Sequence, residues 1–271
     1  MDAYENKIAI VTGGASGIGR ALCMSLAARG ATVIIVDIKA AEAGRTALEI
    51  TRTGGNARAA VLDVSDESAV YEIVEKTSAD FGRLDYIFNN AGICISGDAR
   101  DISIAQWKRI IDVNLFGVLY GTLAAYAVMA RQGCGHIVNI SSMAGFSPFA
   151  VNTPYTTAKH AVVGFTESMR AEARDLKVKV SLVCPGIVQT GFYESMDVVN
   201  ASKEAYKSRL PSRIITAEAA ANIILRRVAK NKGLILFPFH ARIIWWIKKI
   251  APWVLDRVNL TMVREFRTIR R

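Results

Sequence analysis

The chain is predicted to form one α/β domain, a doubly wound parallel sheet of about seven strands with helices on both faces. Short apolar stretches alternate with stretches of helical periodicity, which is typical of a parallel sheet covered on both sides. A length of 271 residues and a hydrophobic content of 51% fit one such domain. The predicted strands lie at residues 7–12, 32–37, 58–62, 85–88, 136–140, 178–184 and 233–237.

A glycine-rich turn follows the first predicted strand. Residues 13–19 read Gly-Gly-Ala-Ser-Gly-Ile-Gly, and residues 20–29 continue with helical periodicity. Glycines let the backbone approach a pyrophosphate closely, and the N-terminus of the next helix offers free N–H groups and a positive dipole end. The order of strand, turn and helix therefore predicts a dinucleotide site of the Rossmann type.

The second predicted strand ends in an acid, Asp37. A carboxylate at this position can hydrogen-bond the adenosine ribose hydroxyls and would repel a 2′-phosphate, which predicts NAD in preference to NADP. Lys39 stands two positions further on and weakens that preference. A second interpretation remains, in which Asp37 only caps the helix near residue 40.

Tyr155 and Lys159 lie four residues apart in a helical stretch, and Ser142 lies thirteen residues before the tyrosine. Residues four apart share a helix face, so the phenol and the ammonium are expected to point the same way. A nearby cation favours the phenolate and would lower the pKa of Tyr155 toward the range where acid/base catalysis is efficient. The spacing predicts proton transfer to or from a hydroxyl or carbonyl.

Taken together, these motifs resemble those of the short-chain dehydrogenase/reductases, in the family's order and spacing over residues 5–238. The matching motifs are Thr12-Gly13-x3-Gly17-x-Gly19, Asn89-Asn90-Ala91-Gly92, Asn114, Ser142, Tyr155-x3-Lys159 and Pro185-Gly186-x3-Thr190.

The resemblance implies a role for each catalytic position. Tyr155 would pass a proton to or from the substrate oxygen, and Lys159 would lower the pKa of Tyr155 and hold the nicotinamide ribose. Ser142, selected over its neighbour Ser141 by the family's spacing, would orient the substrate oxygen. Asn114 would bend a helix and complete a proton relay to the lysine; alternatively, it is a plain buried asparagine.

The resemblance also implies the cofactor contacts. Asp63 would meet the adenine amine, Val64 would contribute its backbone, and Asn90 would contact the adenosine ribose. The segment from Pro185 to Thr190 would anchor the nicotinamide carboxamide through the Val188 backbone and the Thr190 hydroxyl. The predicted cofactor set is Gly13, Ser16, Gly17, Ile18, Gly19, Asp37, Asp63, Val64, Asn90, Tyr155, Lys159, Pro185, Val188 and Thr190.

The implied function is an NAD(P)-dependent oxidoreductase that interconverts a secondary alcohol and a ketone or aldehyde. The alternative is a nucleotide-binding regulatory or membrane-associated scaffold protein without turnover. Residues 190–216 correspond to the family's variable substrate loop, and aromatic side chains there favour a hydrophobic alcohol or carbonyl substrate, unless they serve packing alone. The candidate pocket residues are Phe146, Pro148, Phe149, Phe192, Tyr193 and Met196.

The excess positive charge lies near the C-terminus. Residues 1–202 carry 18 Lys and Arg against 20 Asp and Glu, whereas residues 203–271 carry 16 against 4. We therefore divide the chain into a dinucleotide-binding catalytic domain, 1–239, and a basic amphipathic extension, 240–271, with three tryptophans in nine residues. Three interpretations of the extension are open: it contacts anionic membrane, it covers the substrate cleft or a neighbouring subunit, or it packs on the core with a solvated basic side.

The other features predict location and partners. The four cysteines are widely spaced and lack metal-ligand spacing, and the N-terminus is polar. These features predict a reduced, cytoplasmic protein, and any contact with a membrane is expected to be peripheral. No metal site is predicted, and packing or surface roles are expected for His136, His160 and His240. Nucleic acid is disfavoured because no binding module accompanies the basic segment. The family resemblance implies a homodimer or homotetramer formed through helices 103–132 and 155–175.

Overall fold

The central sheet has seven parallel strands, as the sequence predicts. The structure is a computed structural model and describes residues 2–208 and 215–270. The sheet strands are β1 (Ile8–Thr12), β2 (Thr32–Asp37), β3 (Asn56–Val61), β4 (Tyr86–Asn89), β6 (Gly135–Ile140), β7 (Val178–Pro185) and β11 (Leu234–Phe237). Their order is β11-β7-β6-β4-β1-β2-β3. The strands β1, β2 and β3 follow one another toward one edge of the sheet, and β4, β6, β7 and β11 follow one another from β1 toward the other edge. Both predictions, seven strands and a doubly wound topology, are confirmed.

Helices cover both faces of the sheet. The helices are α1 (Gly17–Ala27), α2 (Ala40–Arg52), α3 (Glu67–Phe81), α4 (Ile104–Ile111), α5 (Gly117–Gln132), α6 (Thr153–Glu172), α7 (Phe192–Ser195), α8 (Lys203–Lys207), α9 (Ala217–Ala229), α10 (Phe239–Ile250) and α11 (Pro252–Thr268). One apolar core joins the sheet to α1, α2 and α9, and a second joins its other face to α3, α5 and α6. Strands buried on both faces explain the continuous apolar runs of the sequence.

The predicted helix 103–132 is interrupted in its middle. A π-helical turn, Asp112–Phe116, separates α4 from α5 and contains the buried Asn114. Such one-turn widenings are frequent at functional sites. Among the described residues, the stretch Ile104–Gln132 has the length and apolar composition of a membrane span, yet half of its most apolar window is buried within the fold.

Short strands and helices stand at the carboxyl ends of the sheet strands. Two-residue strands pair in parallel, β5 (Ile95–Ser96) with β9 (Asp197–Val198), and β8 (Val188–Gln189) with β10 (Ile215–Thr216). Neither pair is predicted from the sequence, because strands of two residues carry no periodicity. The variable loop predicted at 190–216 contains them together with α7 and α8, and its residues 209–214 lie outside the described part of the chain.

The C-terminal helices pack against the body. α11 is held by charged and amide hydrogen bonds: Arg270 donates two to Asp101 at 2.7 and 2.8 Å, and Arg267 donates one to Asp98 at 3.0 Å. Asn259 accepts a hydrogen bond from the Ala150 backbone N–H at 2.8 Å. The inner sides of both helices are buried, as at Ala241, Leu255 and Phe266. This packing agrees with the two interpretations that place the segment on the body.

A buried polar network fixes α5 against the centre of the sheet. The Asn89 amide N–H₂ donates to Asn139 at 2.9 Å and to Thr122 at 3.2 Å, and the Asn139 amide N–H₂ donates to Thr166 at 3.1 Å. Gly121 faces this network so closely that a Cβ there would lie 2.1 Å from Asn89 Oδ1. The close approach of α5 to β4 therefore depends on this glycine.

We predict that Gly121→Ala lowers the free energy of unfolding by about 2 kcal/mol, because α5 must move away from Asn89 to make room for the methyl group. Gly44→Ala in α2 is the matched control, since no atom lies within 4 Å of the added Cβ. That control should stabilise the protein by roughly 0.5–1 kcal/mol through helix propensity. Urea unfolding measures both, and equal effects of the two substitutions would contradict this account of the packing.

Candidate active site

The glycine-rich turn forms a narrow cradle at the end of β1. Gly13 and Gly17 have positive φ angles of +65° and +53°, and a Cβ on Gly19 would lie 2.1 Å from the Gly13 carbonyl oxygen. α1 begins at Gly17, and its N-cap residue, Ser16, makes no side-chain capping hydrogen bond. The first N–H groups of α1, including that of Ile18, are thus available to an anion.

Asn90 lies beside this cradle and ties β1 to β4. Its side-chain N–H₂ donates to the Thr12 carbonyl oxygen at 2.9 Å, and its backbone N–H donates to the Thr12 hydroxyl at 2.9 Å. The Thr12 hydroxyl also accepts from the Ala91 N–H at 3.0 Å. Thr12 belongs to the glycine motif, which does not by itself predict a role for it; in the structure its hydroxyl joins the ends of two neighbouring strands.

Asp37 lies at the same edge, at the end of β2. One carboxylate oxygen accepts a hydrogen bond from the Ala15 N–H of the glycine turn at 3.0 Å, and the other accepts from the Lys39 N–H at 3.0 Å. The N-cap residue of α2 is Lys39, not Asp37. Because Asp37 also accepts a hydrogen bond from the glycine turn, its role is not limited to helix capping. Asp63 is exposed just after β3 and accepts hydrogen bonds from Ser65, while Val64 is buried against α5 at Gly117.

The segment after β7 closes the site from the opposite side. Pro185 is the last residue of β7 and pairs with Phe237 of β11, and Val188 begins β8. Thr190 follows and lies against the glycine turn, since a Cβ on Gly17 would be 3.2 Å from the Thr190 Cβ. The two predicted cofactor segments, 13–19 and 185–190, therefore meet across one cleft.

Tyr155 and Ser142 stand together in this cleft. Tyr155 lies in the first turn of α6, where Pro154 takes an early helical position that favours helix initiation. Ser142 follows β6, and its hydroxyl lies beside the phenol of Tyr155, where it acts to lower the pKa of the phenol. Ser141 is buried instead, and its hydroxyl donates to the Lys159 carbonyl oxygen at 2.9 Å. The structure thus places Ser142, rather than Ser141, beside the phenol.

Lys159 lies one turn further along α6 and is only 3% exposed. Its ammonium donates to the Ile140 carbonyl oxygen at 3.0 Å and lies 5.7 Å from the centre of the Tyr155 ring. A Cβ on Gly92 would fall between this ammonium, at 3.6 Å, and Asn114 Oδ1, at 2.7 Å. Asn114, Gly92 and Lys159 are therefore neighbours.

Asn114 is fixed by the backbone of Ile93. Its side-chain N–H₂ donates to the Ile93 carbonyl oxygen at 2.8 Å, and its Oδ1 accepts from the Ile93 N–H at 2.9 Å. Asn114 is therefore more than a plain buried helical asparagine. Both polar atoms of its side chain bind a second segment, and the side chain borders Lys159.

The pKa values of the two ionisable groups differ from the simple expectation. Burial raises the pKa of Tyr155 above its ordinary value, and the Ser142 hydroxyl only partly opposes this. Burial also lowers the pKa of Lys159, to about 8. The expected lowering of the Tyr155 pKa by Lys159 is thus wrong for this structure, because the ammonium points to the Ile140 carbonyl and desolvation outweighs its charge.

Apolar side chains surround the open side of Tyr155. The centre of the Phe192 ring lies 6.0 Å from that of Tyr155 and 5.7 Å from that of Tyr193. Phe266 of α11 packs into the same cluster and lies 5.7 Å from Tyr206. Met196, predicted as a pocket residue, is buried in this cluster, whereas Phe146 and Phe149 pack with α10. Phe266 was missed because no local motif links residue 266 to residue 155.

Two of the three histidines, His136 and His160, take structural positions. The buried His136 shares a hydrogen bond of 2.8 Å with Ser181, and the exposed His160 bonds the Thr156 carbonyl oxygen at 2.9 Å. All four cysteines are free thiols. Within residues 2–208 and 215–270, no group of three His, Cys, Asp or Glu side chains is arranged to hold a metal ion.

We predict that Lys159 titrates near pH 8 in the folded protein and near 10.4 after unfolding in urea. Because folding lowers this pKa, burial of the charged ammonium lowers the free energy of unfolding at every pH below 8. This unfavourable contribution decreases as the pH rises from 8 to about 10.4. NMR of ¹³C-labelled lysine side chains measures the titration, with Lys159→Arg to assign the signal. A folded-state midpoint near 10.4 would contradict the desolvation of this ammonium.

Curated relatives match much of the chain. "Putative oxidoreductase SadH" of Mycobacterium tuberculosis is 32% identical over 271 residues, covering 98% of this chain and 98% of SadH. The dehydrogenase subunit BbsD of Thauera aromatica is 36% identical, covering 85% and 92%. "Probable oxidoreductase EphD" of the same Mycobacterium is 33% identical over 93% of this chain, but this chain spans only 44% of EphD.

Solved structures and a family model complete the comparison. A short chain dehydrogenase/reductase of Burkholderia phymatum in complex with NAD has a TM-score of 0.81 and 26% identity, covering 87% of this chain and 90% of its own. A metagenomic short-chain oxidoreductase in complex with NADP has a TM-score of 0.73 and 28% identity, covering 87% and 98%. The family model described as short chain dehydrogenase matches residues 7–198. The chain belongs to the short-chain dehydrogenase/reductase family.

Proposed function

We propose that this protein is an NAD-dependent oxidoreductase that interconverts a secondary alcohol and the corresponding carbonyl compound. The observation that carries the proposal is the contact between Tyr155 and Ser142 in the cleft where the two nucleotide-binding segments meet. A phenol and a hydroxyl side by side can donate to and accept from one substrate oxygen. The buried lysine below them supplies the positive charge of the site.

The residues present fit a nicotinamide dinucleotide. The cradle of Gly13, Gly17 and Gly19 would receive the pyrophosphate, because its backbone leaves no room for side chains and α1 offers uncapped N–H groups. Asp37 would accept hydrogen bonds from the adenosine ribose, and Thr190, facing the cradle, would hold the carboxamide end. The nicotinamide, when bound, supplies or accepts the hydride.

The side chains around the phenol would transfer the proton and orient the substrate. Tyr155 would give a proton to the substrate oxygen during reduction and take it back during oxidation, while Ser142 orients that oxygen. Lys159 can release a proton near neutral pH because burial lowers its pKa to about 8. Asn114, fixed by Ile93 and bordering Lys159, would connect the lysine to the proton path.

The side chains around Tyr155 favour a bulky apolar substrate. Phe192, Tyr193 and Phe266 belong to the cluster that packs against Tyr155, and a mostly apolar lining is typical of sites for hydrophobic molecules. The relative BbsD is named for a hydroxy(phenyl)methyl succinyl-CoA, an alcohol whose carbinol carbon carries a phenyl group. We infer that the substrate here carries an aromatic or long aliphatic group beside its hydroxyl or carbonyl.

Tyr155→Phe should lower kcat at least about 100-fold and leave NADH binding nearly unchanged, because it removes one hydroxyl and keeps the ring. Turnover is measured by nicotinamide absorbance with a panel of hydrophobic secondary alcohols and ketones, and binding by NADH fluorescence. Tyr126→Phe on α5 is the matched control and should behave as wild type. Normal turnover by Tyr155→Phe would refute the mechanism, and absence of turnover by the wild type across the panel would favour the scaffold alternative.

Asp37→Asn should shift the ratio of kcat/KM for NADP over NAD upward by about tenfold or more, because the negative charge that repels the 2′-phosphate is gone. Asp63→Asn is the control: it removes an acid at the same edge of the sheet, where the predicted partner is the adenine amine, and should leave the ratio unchanged. An unchanged ratio in Asp37→Asn would contradict the proposed preference for NAD.

A further inference from the structure

α10 is apolar on both of its faces. Its inner side chains, Ala241, Ile244 and Trp245, pack in a cluster with Met143 and Leu236. Its outer side is also apolar, with side chains spaced four, three and four residues apart along one helix face. These outer side chains are Phe239, Ile243, Trp246 and Ile250, which are 73%, 45%, 54% and 68% exposed. We call these four residues the outer stripe.

Such a stripe is unusual for a helix that faces water. A surface helix normally presents charged and polar residues on the side away from the core, and a helix that is apolar all round is normally buried or in contact with lipid. The exposure is concentrated here: of fifteen large exposed hydrophobic side chains in the described chain, eight lie between residues 239 and 260. A concentration of this kind indicates a contact surface.

Positive charge accompanies the stripe. Residues 240–271 contain eight Lys and Arg and two Asp and Glu. Arg242 and Lys249 are exposed on α10, seven residues apart on a side of the helix that borders the stripe, and have no ion-pair partner among the described residues. The Lys249 ammonium lies 3.8 Å from the Trp245 ring centre, and Trp253 in the first turn of α11 is 59% exposed. Tryptophan beside lysine and arginine is typical of the membrane–water interface.

We propose that the outer stripe docks on an anionic lipid surface, with α10 lying in the plane of the membrane. Its 12 residues extend only about 18 Å, too short to span a bilayer. A second copy of the chain is a poorer occupant, because a twofold contact places identical surfaces together and would oppose the basic residues of both. Anionic headgroups instead neutralise those residues while the stripe enters the acyl boundary.

Docking requires no release of the C-terminal helices from the body. The Arg270–Asp101 and Arg267–Asp98 hydrogen bonds hold α11, and the inner side of α10 stays buried in its cluster. The stripe faces away from these contacts. The folded protein therefore presents the surface ready-made, and membrane binding is expected from the full chain without denaturation or partner proteins.

Flotation with lipid vesicles tests the proposal on the full-length protein. Wild type should float with phosphatidylcholine vesicles that contain about one third phosphatidylserine, and less with pure phosphatidylcholine or at high salt. Trp246→Glu, and separately the double variant Phe239→Glu/Ile250→Glu, should partition at least about tenfold less, because each places a carboxylate in the acyl boundary. Arg242→Gln/Lys249→Gln should bind more weakly and with less dependence on salt.

Leu48→Glu is the matched control, since Leu48 on α2 is 50% exposed and lies far along the chain from the stripe. It should float like wild type. Circular dichroism and NADH binding test whether each variant is folded. The double variant is the one least expected to disturb the fold, because it changes the two most exposed side chains of the stripe. Wild-type protein that stays unbound with anionic vesicles overturns the proposal, as does equal flotation of the stripe variants. If the wild type does not bind vesicles but forms a dimer that Trp246→Glu dissociates, the proposal is overturned, and the stripe is instead a contact between two copies of the chain.

Discussion

The buried ammonium of Lys159 is the constraint on which the arrangement of the site depends. A lysine that is 3% exposed must find polar partners, because an unpaired charge in an apolar interior is costly. The Ile140 carbonyl at the end of β6 supplies one partner, and the oxygen of Asn114 lies close by. Gly92 leaves the space between them, and the π-helical turn brings Asn114 within reach of Ile93. Tyr155 then stands one helical turn above this charge, next to Ser142.

The C-terminal helices extend this arrangement outward. α10 packs against Met143, directly after Ser142 in the chain, and Phe266 of α11 enters the cluster around Tyr155. The residues that would carry the chemistry lie on α6 and after β6, whereas Phe266, which packs into the cluster around Tyr155, lies far along the sequence. Charged hydrogen bonds from Arg270 hold the pKa of Asp101 below its ordinary value, so this attachment weakens as acid protonates the carboxylate.

Local patterns predicted the sheet and the cleft, and failed where distant segments meet. The strands were found within two residues of their ends because strands buried on both faces are continuously apolar. Asp37 and residues 13–19 were placed together because strand ends share an edge of the sheet. The raised pKa of Tyr155 was not predicted, because desolvation depends on packing that a four-residue spacing does not describe. Phe266 was missed for the same reason. One of the three open interpretations gave the extension a solvated basic side, whereas the outer side of α10 is largely apolar; hydrophobic periodicity alone does not show which of two apolar faces meets the core.

The position of the outer stripe gives the apolar pocket a physical context. Both belong to the same pair of helices: α10 carries the stripe on one side and contacts Phe146 on the other, while α11 contributes Phe266 to the cluster at Tyr155. A hydrophobic alcohol or carbonyl compound partitions into lipid, where its concentration exceeds that in water by the free energy of transfer of its apolar surface. A site walled by helices that rest on a membrane would draw substrate from that enriched phase, whereas a site facing water would depend on the dilute dissolved fraction. If both proposals hold, the apolar cluster at Tyr155 and the apolar outer face of α10 would serve the same hydrophobic substrate.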